Sequence, residues 1–93
     1  MKAKVIFRKF KTTGNIIAIF PEFNCPKYTF QKDSVMCYTY IGQRDECNYK
    51  SIMKMTSIAK KGEYDILIAV LTDRGYDLEI VTQKEYEKSL TIV

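Results

Sequence analysis

The segment Asn15-Ile16-Ile17-Ala18-Ile19-Phe20 constrains the fold most, because it is apolar on both faces. A β-strand sends alternate side chains to opposite sides of its sheet. A strand that is apolar on both sides belongs inside a sheet rather than at its rim. Just upstream, Ala3-Lys4-Val5-Ile6-Phe7-Arg8-Lys9-Phe10 is β-branched and aromatic with interleaved charge. It reads as a strand with Val5 and Phe7 on one face and Ile6, Arg8 and Phe10 on the other. Lys11-Thr12-Thr13-Gly14 is the turn between the two runs, with Gly14 free to take positive φ. Together they predict an antiparallel hairpin.

Pro21 has no amide donor and is expected to end the second strand. Residues 22–34 then form a long loop, a length often associated with function. Val35 to Ile41 is a third strand, closed by the polar turn Gly42-Gln43-Arg44-Asp45-Glu46. Residues 48–58 fit two patterns. Tyr49, Ile52 and Met53 have helical spacing behind Asn48 as an N-cap, whereas Tyr49, Ser51, Met53 and Met55 would share one face of a strand. The short helix is the preferred reading. From Glu63 to Arg74, the residues Tyr64, Leu67, Ile68 and Leu71 form the stripe of an amphipathic helix. Glu63 and Asp65 at its start and Arg74 at its end suit the helix dipole, and Gly75 suits the position just past the C-terminus. Residues 76–81 alternate polar and apolar, predicting a strand with Leu78 and Ile80 inward.

The order β-β-β-(α)-α-β implies an α+β two-layer sandwich, a four-stranded, largely antiparallel sheet with one or two helices on one face. Residues 1–82 form the single domain. Residues 83–93 form a C-terminal extension, either a short helix with a tail or frayed.

Composition narrows the chemistry. There is no histidine in the 93 residues, so the commonest general base and metal ligand at neutral pH is missing, and no Ser-His or Cys-His pair can form. The four glycines are not clustered into a phosphate-binding loop. Cys25, Cys37 and Cys47 are odd in number and widely spaced, which reads as reduced thiols rather than a disulfide framework. Zinc favours about four ligands in close pairs, and no C-x-x-C is present. Glu22, Asp33, Asp45 and Glu46 in or beside loops read as solvated charges. No catalytic residue, metal or cofactor is therefore expected. No run approaches the roughly 18 apolar residues of a membrane span. The charged N-terminal segment does not resemble a signal peptide, so a cytoplasmic protein is expected.

The runs Lys4–Lys11, Ile17–Glu22, Tyr40-Ile41-Gly42-Gln43, Glu63-Tyr64 and Gly75–Val81 form a pattern. It resembles a family of small uncharacterised proteins of gut bacteria and of their phages and mobile elements, over about residues 4–81. The resemblance implies the extent of the domain and a bacterial or phage source. It implies no activity, and the long loop and the tail after Val81 look specific to this chain.

The formal net charge is +4 and unevenly spread. Residues 1–60 hold eleven Lys/Arg against four Asp/Glu, and residues 61–93 hold four against seven. A basic surface favours anionic partners. The leading expectation is a non-enzymatic accessory protein of phage or mobile-element origin that binds a host protein, as an inhibitor or modulator. Tyr28, Gln43, Arg44 and Tyr49 are the contact candidates, since polar aromatics and arginine suit interfaces. A second reading is a single-stranded nucleic-acid binder using Lys2, Lys4, Arg8, Tyr38 and Tyr40 as a basic, stacking sheet face. A third is a self-assembling homo-oligomer joined at an open sheet edge.

Overall fold

The computed structural model describes residues 2–24, 34–39, 41 and 43–90. The hairpin is present: β1 (Ala3–Phe10) pairs antiparallel with β2 (Ile16–Asn24), with Ile6 opposite Ile19 and Arg8 opposite Ile17. At the turn Gly14 donates to the Phe10 carbonyl at 2.8 Å with φ 77°. β3 (Ser34–Tyr38) pairs antiparallel with β2, and β4 (Arg44–Asn48) pairs antiparallel with β3. α1 (Tyr49–Met55) runs into β5 (Thr56–Ile58). α2 (Asp65–Asp73), β6 (Leu78–Ile80) and α3 (Gln83–Leu90) complete the described chain. The predicted α+β class with a largely antiparallel sheet is the observed one.

Among the described residues the sheet has six strands where four were expected. Its order is β4-β3-β2-β1, and two short strands share the outer edge of β1. β5 pairs antiparallel with Arg8–Phe10, and β6 pairs parallel with Ala3–Val5. β1 and β2 are thus interior, and residues 5–8 and 17–21 are buried. Alternation then builds two cores. Val5, Phe7, Ala18, Phe20, Met36 and Tyr38 meet Leu67 and Leu71 of α2. On the opposite face Ile6, Ile17, Ile19, Val35 and Cys37 meet Ile52 and Met53 of α1, with Tyr86 of α3 packed alongside. Helices therefore cover both faces, and α3 belongs to the second core rather than trailing from it.

Three local expectations are corrected. Pro21 does not end β2; the strand runs to Asn24. The register shifts between Phe20 and Asn24, and Pro21 sits inside this irregularity, where a missing donor disrupts no regular ladder. Arg44-Asp45-Glu46 is not a turn but the start of β4. Charge on an outermost strand blocks edge-to-edge pairing, and it also hides the strand from a periodicity search. Ile80 is not inward but 46% exposed, because β6 lies at the rim. Residues 48–58 divide between both readings: Asn48 caps α1 by accepting from the Ser51 amide at 3.0 Å, and Thr56–Ile58 is a strand.

The end of α2 aims the next segment at the sheet. Gly75 has φ 97° and donates to the Thr72 carbonyl at 3.0 Å, and the Tyr76 amide donates to the Leu71 carbonyl at 3.2 Å. This is the paired closure of a Schellman motif, which requires a left-handed residue. Gly75→Ala is expected to destabilise the protein by about 1–2 kcal/mol, although a Cβ there would meet nothing within 4 Å. Chemical denaturation measures it; an unchanged midpoint would contradict the backbone origin of the effect.

Candidate protein-binding face

Phe20, 0% exposed on β2, anchors a group of rings on the α2 side of the sheet. Its centroid lies 5.4 Å from Phe23, 6.0 Å from Tyr38 and 5.2 Å from Tyr76. Tyr38 and Tyr76 meet edge to face at 5.7 Å, and their hydroxyls hydrogen-bond at 3.0 Å. β3 supplies Tyr38, and the Schellman turn supplies Tyr76. Arg74, the residue before that turn, holds its guanidinium carbon 5.5 Å from the centre of the Tyr38 ring, a cation–π distance. Arg44 stands opposite Tyr38 in the β3–β4 register, and so on the same face. Burial first, and then the Tyr38 hydroxyl, raise the Tyr76 pKa, while the charges of Arg44 and Arg74 pull it down.

Both arginines are exposed. Lys4 pairs with Glu22 at 3.9 Å and Lys9 with Glu63 at 2.7 Å, and neither pair involves Arg44 or Arg74. Phe23, 37% exposed, presents apolar area beside them. The arrangement offers two cations, an aromatic hydroxyl pair and an aromatic edge within one patch.

The predicted contact residues divide sharply. Arg44 is in the patch. Gln43 precedes it and is exposed, its backbone closed onto Thr39: its carbonyl accepts from the Thr39 amide at 2.9 Å and its amide donates to the Thr39 hydroxyl at 3.2 Å. Tyr49 is engaged inside the fold, its hydroxyl donating to Glu87 at 2.9 Å and its ring 5.9 Å from Tyr86. Tyr28 lies outside the described residues, as does the loop around it.

The nucleic-acid face is not assembled as expected. Phe7 pairs with Ala18 and Ala18 with Tyr38, so Tyr38 shares a face with the odd-numbered residues of β1. Lys4 and Arg8 project from the opposite face. Arg8 is also buried, at 6% exposure. Its Nε donates to the Thr56 hydroxyl at 3.0 Å, and its Nη2 donates to the carbonyls of Met53 at 3.2 Å and Thr56 at 2.8 Å. The side chain closes the C-terminal end of α1, where unpaired carbonyls favour a cation. Lys2 is exposed, Lys4 is half-buried near Glu22, and Tyr40 lies outside the described residues.

Cys37 and Cys47 carry thiols that meet each other across β3 and β4; Cys25 lies outside the described residues. A hydrogen bond with the Cys47 thiol and burial hold the Cys37 pKa far above its ordinary value, which disfavours the thiolate a nucleophile needs. Among the described residues no group of three His, Cys, Asp or Glu could hold a metal ion, and no helix is long and apolar enough to cross a membrane. Local sequence signals had marked Arg74 and Tyr76 only as a helix end and a strand start. The meeting of Tyr76 with Tyr38 spans 38 positions, which no spacing rule encodes.

Burial is the leading cause raising the pKa of Tyr49, Tyr76 and Tyr86 above the ordinary 10. An unfolded tyrosine therefore ionises before these three do. Their contribution to stability is complete below pH 10 and is lost as pH climbs from there through the raised folded values. A titration followed by tyrosinate absorbance should show a late group that ionises together with unfolding. Seven tyrosines titrating as one class in a folded protein would contradict this.

No protein-family model matches the chain, and the comparisons found no similar curated protein or solved structure.

Proposed function

We propose that this chain is a non-enzymatic accessory protein, of the phage or mobile-element kind its sequence resembles, that binds an acidic surface of a host protein. The observation that supports this reading is the pair Arg44 and Arg74, exposed and without a carboxylate partner among the described residues, set beside the Tyr38–Tyr76 pair. Arginine and tyrosine dominate binding hot spots, because each combines area with directed hydrogen bonds. Guanidinium forks grip carboxylates in two-point contacts, and basic charge speeds encounter with an acidic partner. Phe23 adds an apolar contact at the rim. The cytoplasm is the proposed compartment.

The test is affinity capture from host lysate with the wild-type chain and with Arg44→Glu/Arg74→Glu, each with and without nuclease. A protein retained after nuclease by the wild type and lost by the double variant supports the reading. Loss of more than tenfold in affinity is expected for two charge-assisted contacts of about 1.5–3 kcal/mol each. Equal capture by both chains would overturn it. Nuclease-sensitive capture would instead favour nucleic acid, whose binding must also weaken steeply with salt.

A further inference from the structure

Cys37 and Cys47 lie on neighbouring strands and on one face of the sheet. Val35 pairs with Cys47 and Cys37 with Asp45, so the two cysteines are diagonal neighbours across β3 and β4. Both belong to the core on the α1 side, Cys37 as a buried member (2% exposed) and Cys47 as a half-buried residue packed against it. Their side chains hydrogen-bond, so the two sulfurs already face each other.

The two thiols differ in what they can do. Cys37 keeps its proton, held first by the Cys47 side chain, then by burial and by the charges of Asp45 and Glu46. Cys47 sits on the outermost strand and is only half-buried, so a reagent arriving from solvent meets it first. A thiolate, not a thiol, attacks a disulfide, which makes Cys47 the attacking member and Cys37 the resolving one. Once Cys47 is held in a mixed disulfide, its charge and its hydrogen bond no longer oppose ionisation of Cys37, and the largest cause holding that proton is gone. Diagonal neighbours in an antiparallel pair have Cα atoms about 7–8 Å apart, whereas a disulfide spans roughly 4.4–6.8 Å. Closure must therefore draw β4 toward Cys37 by about an ångström. β4 can follow, because among the described residues β3 is its one strand neighbour. A bond closed against such strain is readily reduced, which suits a reversible link rather than a structural one.

We propose that Cys37 and Cys47 form a thiol–disulfide exchange site, which a small disulfide closes into a reversible cross-strand bond. Cys47 Sγ attacks the small disulfide, forming a mixed disulfide and releasing one thiolate. Cys37 passes its proton to that thiolate, and its Sγ then attacks Cys47 Sγ and displaces the second thiolate. The two protein thiols are oxidised as the small disulfide is reduced to two thiols, and no other oxidant is needed. Asp45 and Glu46 beside the pair favour a cationic disulfide over an anionic one.

The test is treatment of the folded full-length chain, and of its Cys25→Ser variant, with the cationic disulfide cystamine, read by intact mass and peptide mapping. Cys25→Ser should lose two hydrogens, both proteins should yield a linked Cys37–Cys47 peptide, and dithiothreitol should reverse the change. Amide shifts should accompany closure in β3 and β4 and be absent from α2. Cys37→Ser should stop at a stable cysteamine adduct on Cys47, and Cys47→Ser should leave Cys37 reacting roughly tenfold or more slowly than the pair. A wild-type chain that keeps the adduct on Cys47, a linkage that requires Cys25, or a Cys47→Ser protein modified at Cys37 as fast as the pair would each overturn the assignment. If Cys37→Ser does not fold, the wild-type peptide map and Cys47→Ser, a change at a half-buried edge position, keep the outcome decisive.

Discussion

Phe20→Ala is expected to remove about 3–5 kcal/mol of stability, a large share of the roughly 5–15 kcal/mol typical of a whole domain. Phe20 is fully buried and touches Phe23, Tyr38 and Tyr76, so its removal leaves a cavity among rigid rings that collapse poorly. For a domain of this size each kcal/mol lowers the melting temperature by roughly 4–8 °C. Thermal unfolding should therefore shift by roughly 12 °C or more. The same change frees Tyr38 and Tyr76 from their support, so capture by the Arg44–Arg74 patch should fall in the protein that remains folded. Phe23→Ala, at a 37% exposed ring, should cost about 1 kcal/mol or less and serves as the control. Similar losses for the two variants would mean that Phe20 does not anchor the cluster.

Arg8→Met should cost about 3 kcal/mol, measured by urea unfolding at an unchanged slope. Methionine restores the apolar stem but none of the three hydrogen bonds, so acceptors at the end of α1 are left without their donor. Bonds from a charged donor contribute about 1.5–3 kcal/mol each, and relief of the guanidinium's desolvation offsets part of that loss. Burial is the main cause that lowers the Arg8 pKa, yet a guanidinium keeps its charge at any pH the fold tolerates. Arg8→Lys should recover little, because a single ammonium cannot span the Thr56 hydroxyl and two carbonyls as a planar fork does. A variant as stable as the wild type would show that α1 and β5 do not depend on this contact.

Arg8 also shows where residue-by-residue reading stops. On sequence alone it is one more cation in a basic strand, alternating with Ile6 and Phe10. Its burial is set by α1 folding back over that face and presenting carbonyls 45 and 48 positions away. Tyr38 falls on the face opposite Lys4 and Arg8 for the same reason. Parity along one strand is legible in the sequence, but parity between strands depends on register, which pairing alone decides. Edge strands β4, β5 and β6 escaped or were shortened because an edge needs no apolar face. Arg44-Asp45-Glu46 and Thr56-Ser57-Ile58 therefore carry no period-2 signal.

By itself the sequence determined what short-range physics controls. The apolar run at Ile16–Phe20 required a buried strand, and Lys11–Gly14 closed it into a hairpin. The Tyr64, Leu67, Ile68 and Leu71 stripe required a helix packed on the sheet, and Gly75 required its end. Arg44 was legible as an exposed residue because its neighbours in sequence are polar. The tertiary structure alone decided which side chains from distant segments meet: Arg44 and Arg74 beside Tyr38 and Tyr76, and Arg8 at the C-terminal end of α1. Hydrophobic periodicity and turn chemistry act over a few residues, whereas these juxtapositions follow from sheet order and register, which the whole chain sets cooperatively.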